Sequence, residues 1–167
     1  MLITKAVSYN DENISCEGYY ANNETDNANK PAVLIFPDWS GKNPFACKKA
    51  EKLAELGYIG FVADVFGSGK TGKTKEEKSA LIQPFMANRN LLKKRVLSAL
   101  DAVKKCEGVD SQRIAAIGFC FGGLCALDLA RTGTDLKAVV SFHGLLHPPR
   151  PSSTITHQSF YPRVTWL

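Results

Sequence analysis

The sequence predicts an α/β domain: a mostly parallel sheet with helices on both faces, opened by an antiparallel hairpin. Three observations lead there. Apolar runs of strand length alternate with amphipathic runs of helix length. Two β-rich segments at the start flank the turn-prone NDEN. Late in the chain, RIAAIGFCFGGLCALDLA has the pattern of a strand, a sharp glycine-flanked turn and a helix.

The elements follow in order. ITKAVSY and ISCEGYY form the hairpin, and NNETDNANKP is a polar connection. AVLIF is a short buried strand. PFACKKAEKLAELG is an amphipathic helix, with Ala46, Ala50, Leu53 and Ala54 inward and Gly57 as its stop. YIGFVADVF is the next strand, followed by a loop and an irregular segment to about residue 88. Helical spacing returns around 90–106, where Leu92, Val96, Leu100 and Val103 share one face. RIAAIGF is a strand, the helix after it runs through Leu129, and KAVVSFHG is the last strand. No internal repeat is visible.

Composition narrows the function classes. The chain has 167 residues, 44% of them apolar and 22% charged, which fits one globular domain. Its longest stretch without charged or strongly polar side chains, Ile114 to Leu127, is 14 residues with three glycines, against roughly 20 needed to cross a bilayer. No membrane span is expected, and the amino terminus lacks the pattern of an export signal, so the expected location is cytoplasmic. Five cysteines, an odd number without a repeated short spacing, suggest reduced thiols rather than disulfides or a zinc knuckle. No metal or other cofactor is expected. The net charge of +5 lies mainly on helix faces such as LLKKRVLSALDAVKK. No aromatic residues interleave with those lysines to stack bases, so nucleic acid is not an expected partner. Nothing in the sequence indicates an oligomeric state.

Two motifs compete for the active site. GSGKTGKT, residues 67–74, satisfies the phosphate-loop pattern, with Lys73 to reach phosphates and Thr74 to hold magnesium. Its context is poor: Pro84 follows early, KEEK puts acidic residues beside the would-be triphosphate, and no later strand ends in a metal-binding Asp. A mobile Gly/Lys-rich loop at the end of a strand is the better reading. The rival, Gly118-Phe119-Cys120-Phe121-Gly122, has the spacing of a nucleophile elbow in the strand-to-helix context that the motif demands. A cysteine at a helix amino terminus is favoured as thiolate. Cys125, one turn further, is expected in the core.

With VLIFPDWSG, LAELGYIGFVADVFG, VDSQRIAAIGFCFGG and DLKAVVSFHG, the chain resembles the dienelactone hydrolase family of α/β-hydrolases from about residue 5 to 147. The resemblance implies an α/β-hydrolase-like fold, a small-molecule ester or lactone substrate, and an acyl-enzyme on Cys120. It also implies an oxyanion hole from the backbone N–H groups of Phe121 and Trp39. Asp38 stands where the family has a Glu that pairs with the resting thiol. The family's substrate-binding Arg falls here at Gly67 or Ser68, which argues against dienelactone itself.

The resemblance is read as ending near His147, before the strands that supply the family's triad Asp and His. The domain is therefore expected over 1–147, truncated after about the sixth strand, with an atypical tail over 148–167. That tail, HPPRPSSTITHQSFYPRVTWL with its His147, has four prolines between 148 and 162, and no Asp or Glu follows Asp135. A frameshifted or truncated product would have this character. His143, at the end of the sixth strand, is a weak candidate base, and His147 and His157 lie in the tail. Three functions remain open: an impaired hydrolase, a non-catalytic remnant or interaction module, and a nucleotide hydrolase using 67–74.

Overall fold

The structure is a computed structural model that describes residues 1–24 and 29–147. The hairpin forms as expected: β1 (Leu2–Asp11) and β2 (Ile14–Asn23) pair antiparallel from Leu2 opposite Asn23 to Asp11 opposite Ile14. Then come β3 (Lys30–Phe36), α1 (Pro44–Glu55), β4 (Ile59–Val62), α2 (Lys75–Ala87), α3 (Arg89–Lys104), β5 (Val109–Phe119), α4 (Phe121–Arg131) and β6 (Ala138–Phe142). These strands form one sheet in the order β1-β2-β4-β3-β5-β6. β2 meets β4 antiparallel, and from β4 onward every pairing is parallel.

Period-two alternation divides the core. Val33 and Ile35 of β3 and Val62 of β4 face α1, which meets them with Ala46, Ala50 and Ala54. Leu34 and Phe36 point to the other face, with Phe61, Ile114 and Ala116, and are covered by α3 and α4. The helical face expected from the sequence, Leu92, Val96, Leu100 and Val103, is buried there. Burying each such side chain contributes about 1.5–3 kcal/mol. The parallel strands β3, β4 and β5 all deliver their carboxyl ends to one edge of the sheet, where the candidate site lies.

Two expectations are corrected. The strand expected over 58–66 ends at Val62: Ala63 N–H donates a last bond to Ile35 O (2.9 Å), and Asp64 then curls the chain by accepting from Gly67 N (2.9 Å) and Gly69 N (2.8 Å). Residues 75–87, expected to be irregular, form α2. Pro84 forfeits one helical donor, but a capping box holds the start. Thr74 Oγ1 accepts from Glu77 N (3.2 Å) while Glu77 accepts from Thr74 N (3.2 Å), and buried Phe85 anchors the far end. The atypical tail and His157 lie outside the described residues. Among the described residues no helix is long and apolar enough to cross a membrane.

Candidate active site

At the end of β5 the chain turns directly into α4 through Cys120, whose backbone has φ 55° and ψ −116°. This is the positive φ that an elbow requires. Such a conformation costs a residue with a side chain about 1–3 kcal/mol, so the surroundings must impose it. They do so by hydrogen bonds: Cys120 N donates to Phe142 O (3.0 Å), and Cys120 O accepts from Gly123 N (3.0 Å) and Leu145 N (3.4 Å). Close packing completes the constraint. A Cβ on Gly118 would lie 1.9 Å from Gly122 O, and one on Gly122 would lie 2.0 Å from Phe36 O. The first turn of α4 thus rests on bare backbone at the ends of β5 and β3. Cys120 is half-buried, and no side chain caps the helix it begins.

The loop after β3 faces this turn. Asp38 Oδ1 accepts from Ser40 N (2.7 Å) and Asn43 Nδ2 (3.2 Å), and Asn43 Oδ1 in turn accepts from Ala46 N at the start of α1. Asp38 therefore organises its own loop, and it has no hydrogen bond to Cys120 among the described residues. The N–H groups of Trp39 and Phe121 have no hydrogen-bond partner among the described residues, leaving both donors open to a ligand. His143 is exposed at φ 41°, directly after the Phe142 whose carbonyl holds Cys120 N. It makes no hydrogen bond to the thiol. The backbone carbonyl of His147 is tied to Arg89 Nη1 (3.1 Å).

The other described thiols differ in setting. Cys125 is fully buried in α4, as expected, and burial pushes its thiol well above the ordinary range. Burial also raises Cys16 and Cys47, and it pushes Cys106 up to about 11. Among the described residues no group of His, Cys, Asp and Glu is arranged to hold a metal.

The phosphate-loop pattern meets a different fate. Its backbone amides are already engaged: Asp64 takes Gly67 N and Gly69 N, Glu77 Oε2 takes Lys73 N (2.7 Å) and Thr74 N, and Gly72 N donates to Ser40 O. Two carboxylates occupy the positions where phosphate oxygens would need those donors, so the Gly-Lys-Thr signature here is a capped helix start. The loop expected to be mobile is instead held at several points. Magnesium–ATP is expected to leave the melting temperature unchanged; a saturable rise that vanished in Lys73→Ala would reverse this reading.

A mainly parallel sheet opened by an antiparallel hairpin, with a strained strand-to-helix turn at its carboxyl edge, defines the α/β-hydrolase class. The comparisons carry this to a family. The dienelactone hydrolase family model matches residues 16–162, and the chain belongs to that family. The match runs on into residues 148–162, past the point near His147 where the resemblance was expected to end. A putative carboxymethylenebutenolidase of Aquifex aeolicus (strain VF5) is 28% identical over 144 residues, 83% of this chain and 61% of that protein. A probable 2-oxo-3-(5-oxofuran-2-ylidene)propanoate lactonase of Bradyrhizobium sp. is 30% identical over 117 residues, 70% of this chain and 46% of that one. Among solved structures, a dienelactone hydrolase-like promiscuous phosphotriesterase from metagenomic libraries superposes with a TM-score of 0.83 at 37% identity, over 86% of this chain and 59% of its own. The chain thus spans less than two thirds of these relatives.

Sequence reasoning missed one group in this region. Asp64 is 1% exposed and sits at the root of the glycine-rich loop. The signal was an Asp ending the apolar run of VAD just before glycines.

Proposed function

We propose that the chain performs the acyl-transfer half of ester or lactone hydrolysis through Cys120. The thiolate sulfur attacks the carbonyl carbon, and the carbonyl electron pair moves to oxygen. The resulting oxyanion is received by the N–H groups of Phe121 and Trp39. Collapse expels the alkoxide or aryl oxide and leaves a thioester on Cys120, which water cleaves to the acid and the free thiol. The observation that carries this reading is the strained Cys120 at a helix start without a side-chain cap, followed directly by Phe121 and packed through Gly122 against the end of β3, from which the Trp39 loop leaves. The names of the Aquifex and Bradyrhizobium relatives favour a lactone or ester substrate of small size. Dienelactone is not proposed, because Gly67 or Ser68 replaces the family's carboxylate-binding Arg. A reduced nucleophilic thiol suits a cytoplasmic setting.

The two half-reactions depend differently on a base. A cysteine is a few per cent thiolate near neutrality, so attack proceeds without one, whereas release needs activated water. Among the described residues neither a histidine nor a carboxylate is hydrogen-bonded to Cys120. Loss of a triad base in a serine enzyme costs about 10⁶ in turnover. On this reading Cys120 is acylated slowly, the acyl-enzyme persists, and steady-state hydrolysis is negligible. Intact-mass spectrometry after incubation with p-nitrophenyl acetate tests it, with Cys120→Ala as control. Equal labelling of both proteins would mean an inert thiol and a non-catalytic remnant. Sustained Cys120-dependent turnover would show that His143, His147 or His157 completes a site.

A further inference from the structure

The fate of the Asp64 charge connects regions that the sequence keeps apart. Its carboxylate is bonded to three backbone amides: Oδ1 accepts from Gly67 N (2.9 Å), and Oδ2 from Gly69 N (2.8 Å) and Glu17 N (3.0 Å). Its backbone is bracketed by Tyr9, whose hydroxyl accepts from Asp64 N (3.0 Å) and donates to Asp64 O (3.3 Å). The neighbouring guanidinium of Arg95 is committed elsewhere, to Asp11 Oδ2 (2.8 Å) and Val65 O (2.6 Å). A buried carboxylate is tolerable only when its lone pairs are filled. Here the filling donors are amides of the loop itself, so the carboxylate dictates the path of residues 64–69.

That path bears on both halves of the proposed oxyanion hole. On one side Phe66 stacks on Phe121 at a centroid distance of 5.9 Å and an interplanar angle of 16°, with Phe85 packed against both rings. On the other side Gly72 N donates to Ser40 O (3.1 Å). A Cβ on Gly41 would lie 2.7 Å from Lys70 O and 3.2 Å from the Phe66 ring. Gly41 N closes the turn around Trp39 by donating to Asp38 O (3.1 Å). One loop therefore abuts the residue that offers one donor and the turn that offers the other.

We propose that Asp64 is a positioning residue for the oxyanion-binding N–H groups of Phe121 and Trp39, a role that rests on the reading of Cys120 as nucleophile. It touches no reacting atom and acts through residues 66–72. Aspartate is required because three N–H donors converge on two oxygens. Asparagine has nearly the same shape but turns an NH₂ toward at least one donor, leaving an N–H unmatched. The loop then relaxes, and the two sides of the hole lose their common support. A displacement of about 1 Å in such a site is enough to cost about 10² in rate.

The test compares two reactions of Cys120 in the full chain, each followed by mass spectrometry of the Cys120-containing peptide, with circular dichroism to verify the fold. Acylation by p-nitrophenyl acetate passes through an oxyanion. Alkylation by iodoacetamide displaces iodide at a saturated carbon and does not, so it measures the thiol alone. Asp64→Asn is expected to slow acylation about tenfold or more while alkylation stays within a factor of about two. Tyr9→Phe, which loosens the Asp64 backbone and spares its carboxylate, is expected to lower the acylation-to-alkylation ratio in the same direction, and it decides the matter if Asp64→Asn does not fold. An unchanged ratio, or a parallel fall of both rates, overturns the positioning role. If wild-type acylation does not require Cys120, the hydrolase reading fails first and this inference with it. Cys120-dependent wild-type acylation with an unchanged ratio in the variants defeats the positioning role alone.

Discussion

Replacing Arg95 with alanine is expected to cost about 3–5 kcal/mol of folding stability, the loss seen when one partner of a buried ion pair is removed. Arg95 is 4% exposed and Asp11 6%. The guanidinium Nε donates to Asp11 Oδ2 (2.8 Å), Nη1 donates to Val65 O (2.6 Å), and the group lies 5.5 Å from the Phe85 ring centroid. Without it, Asp11 retains, among the described residues, only Ser98 Oγ, which donates to its other oxygen at 3.2 Å. The penalty comes chiefly from stranding that carboxylate out of water rather than from the worth of the attraction itself. Domain stabilities are typically about 5–15 kcal/mol, so the variant is expected to be largely unfolded under mild denaturant. The double variant Asp11→Leu/Arg95→Met should recover most of the loss, because it strands no charge. One residue earlier on α3, Lys94 forms an exposed pair with Glu12 of the hairpin turn at 2.7 Å; Lys94→Ala should change nothing measurable. Urea midpoints decide among these outcomes. A loss below about 1 kcal/mol for Arg95→Ala would show that the pair is not the lock between α3 and β1 that its burial implies.

The second large effect is expected at Gly122, where conformation and chemistry meet. A methyl group there would lie 2.0 Å from Phe36 O and 2.5 Å from Pro37 O, and backbone oxygens cannot rotate out of the way. Gly122→Ala must therefore lift α4 off the end of β3, moving Phe121 away from the loop that carries Trp39. Overpacking of this kind costs about 1–3 kcal/mol, and the lost alignment should slow acylation of Cys120 by about 10² or more. Gly133 provides the contrast. It has φ +78° but nothing within 4 Å of an added Cβ, so Gly133→Ala should cost about 1–2 kcal/mol through backbone strain alone and leave the acylation rate unchanged. Acylation of Gly122→Ala at the wild-type rate would mean that the elbow and the Trp39 loop do not act together.

Much of this molecule was legible before any coordinates. The hairpin, the buried strand AVLIF, the α3 face of Leu92, Val96, Leu100 and Val103, and the turn at Cys120 each depend on residues close together in sequence. The elbow is the sharpest case, since its strain, its glycines and its helix start all lie within Gly118–Gly123. The missed helix α2 was also local. The run TKEE contains a capping box, and Pro84 was given more weight than it carries near the end of a helix whose Phe85 is anchored in the core.

What the sequence determined by itself was the alternation of elements, the inward faces of α1 and α3, and the cysteine at the bend, because periodicity and backbone preference act over a few residues. What only the tertiary structure decided was which polar groups meet. Asp11 and Arg95 are 84 residues apart, and Asp64 reaches back 47 residues to Glu17. Asp64 also takes two of the glycine amides, those of Gly67 and Gly69, that the pattern GSGKTGKT offers on paper to a phosphate. A donor's partner is set by sheet order and close packing, and the cost of burying an unmatched charge selects one arrangement from many that the local pattern allows.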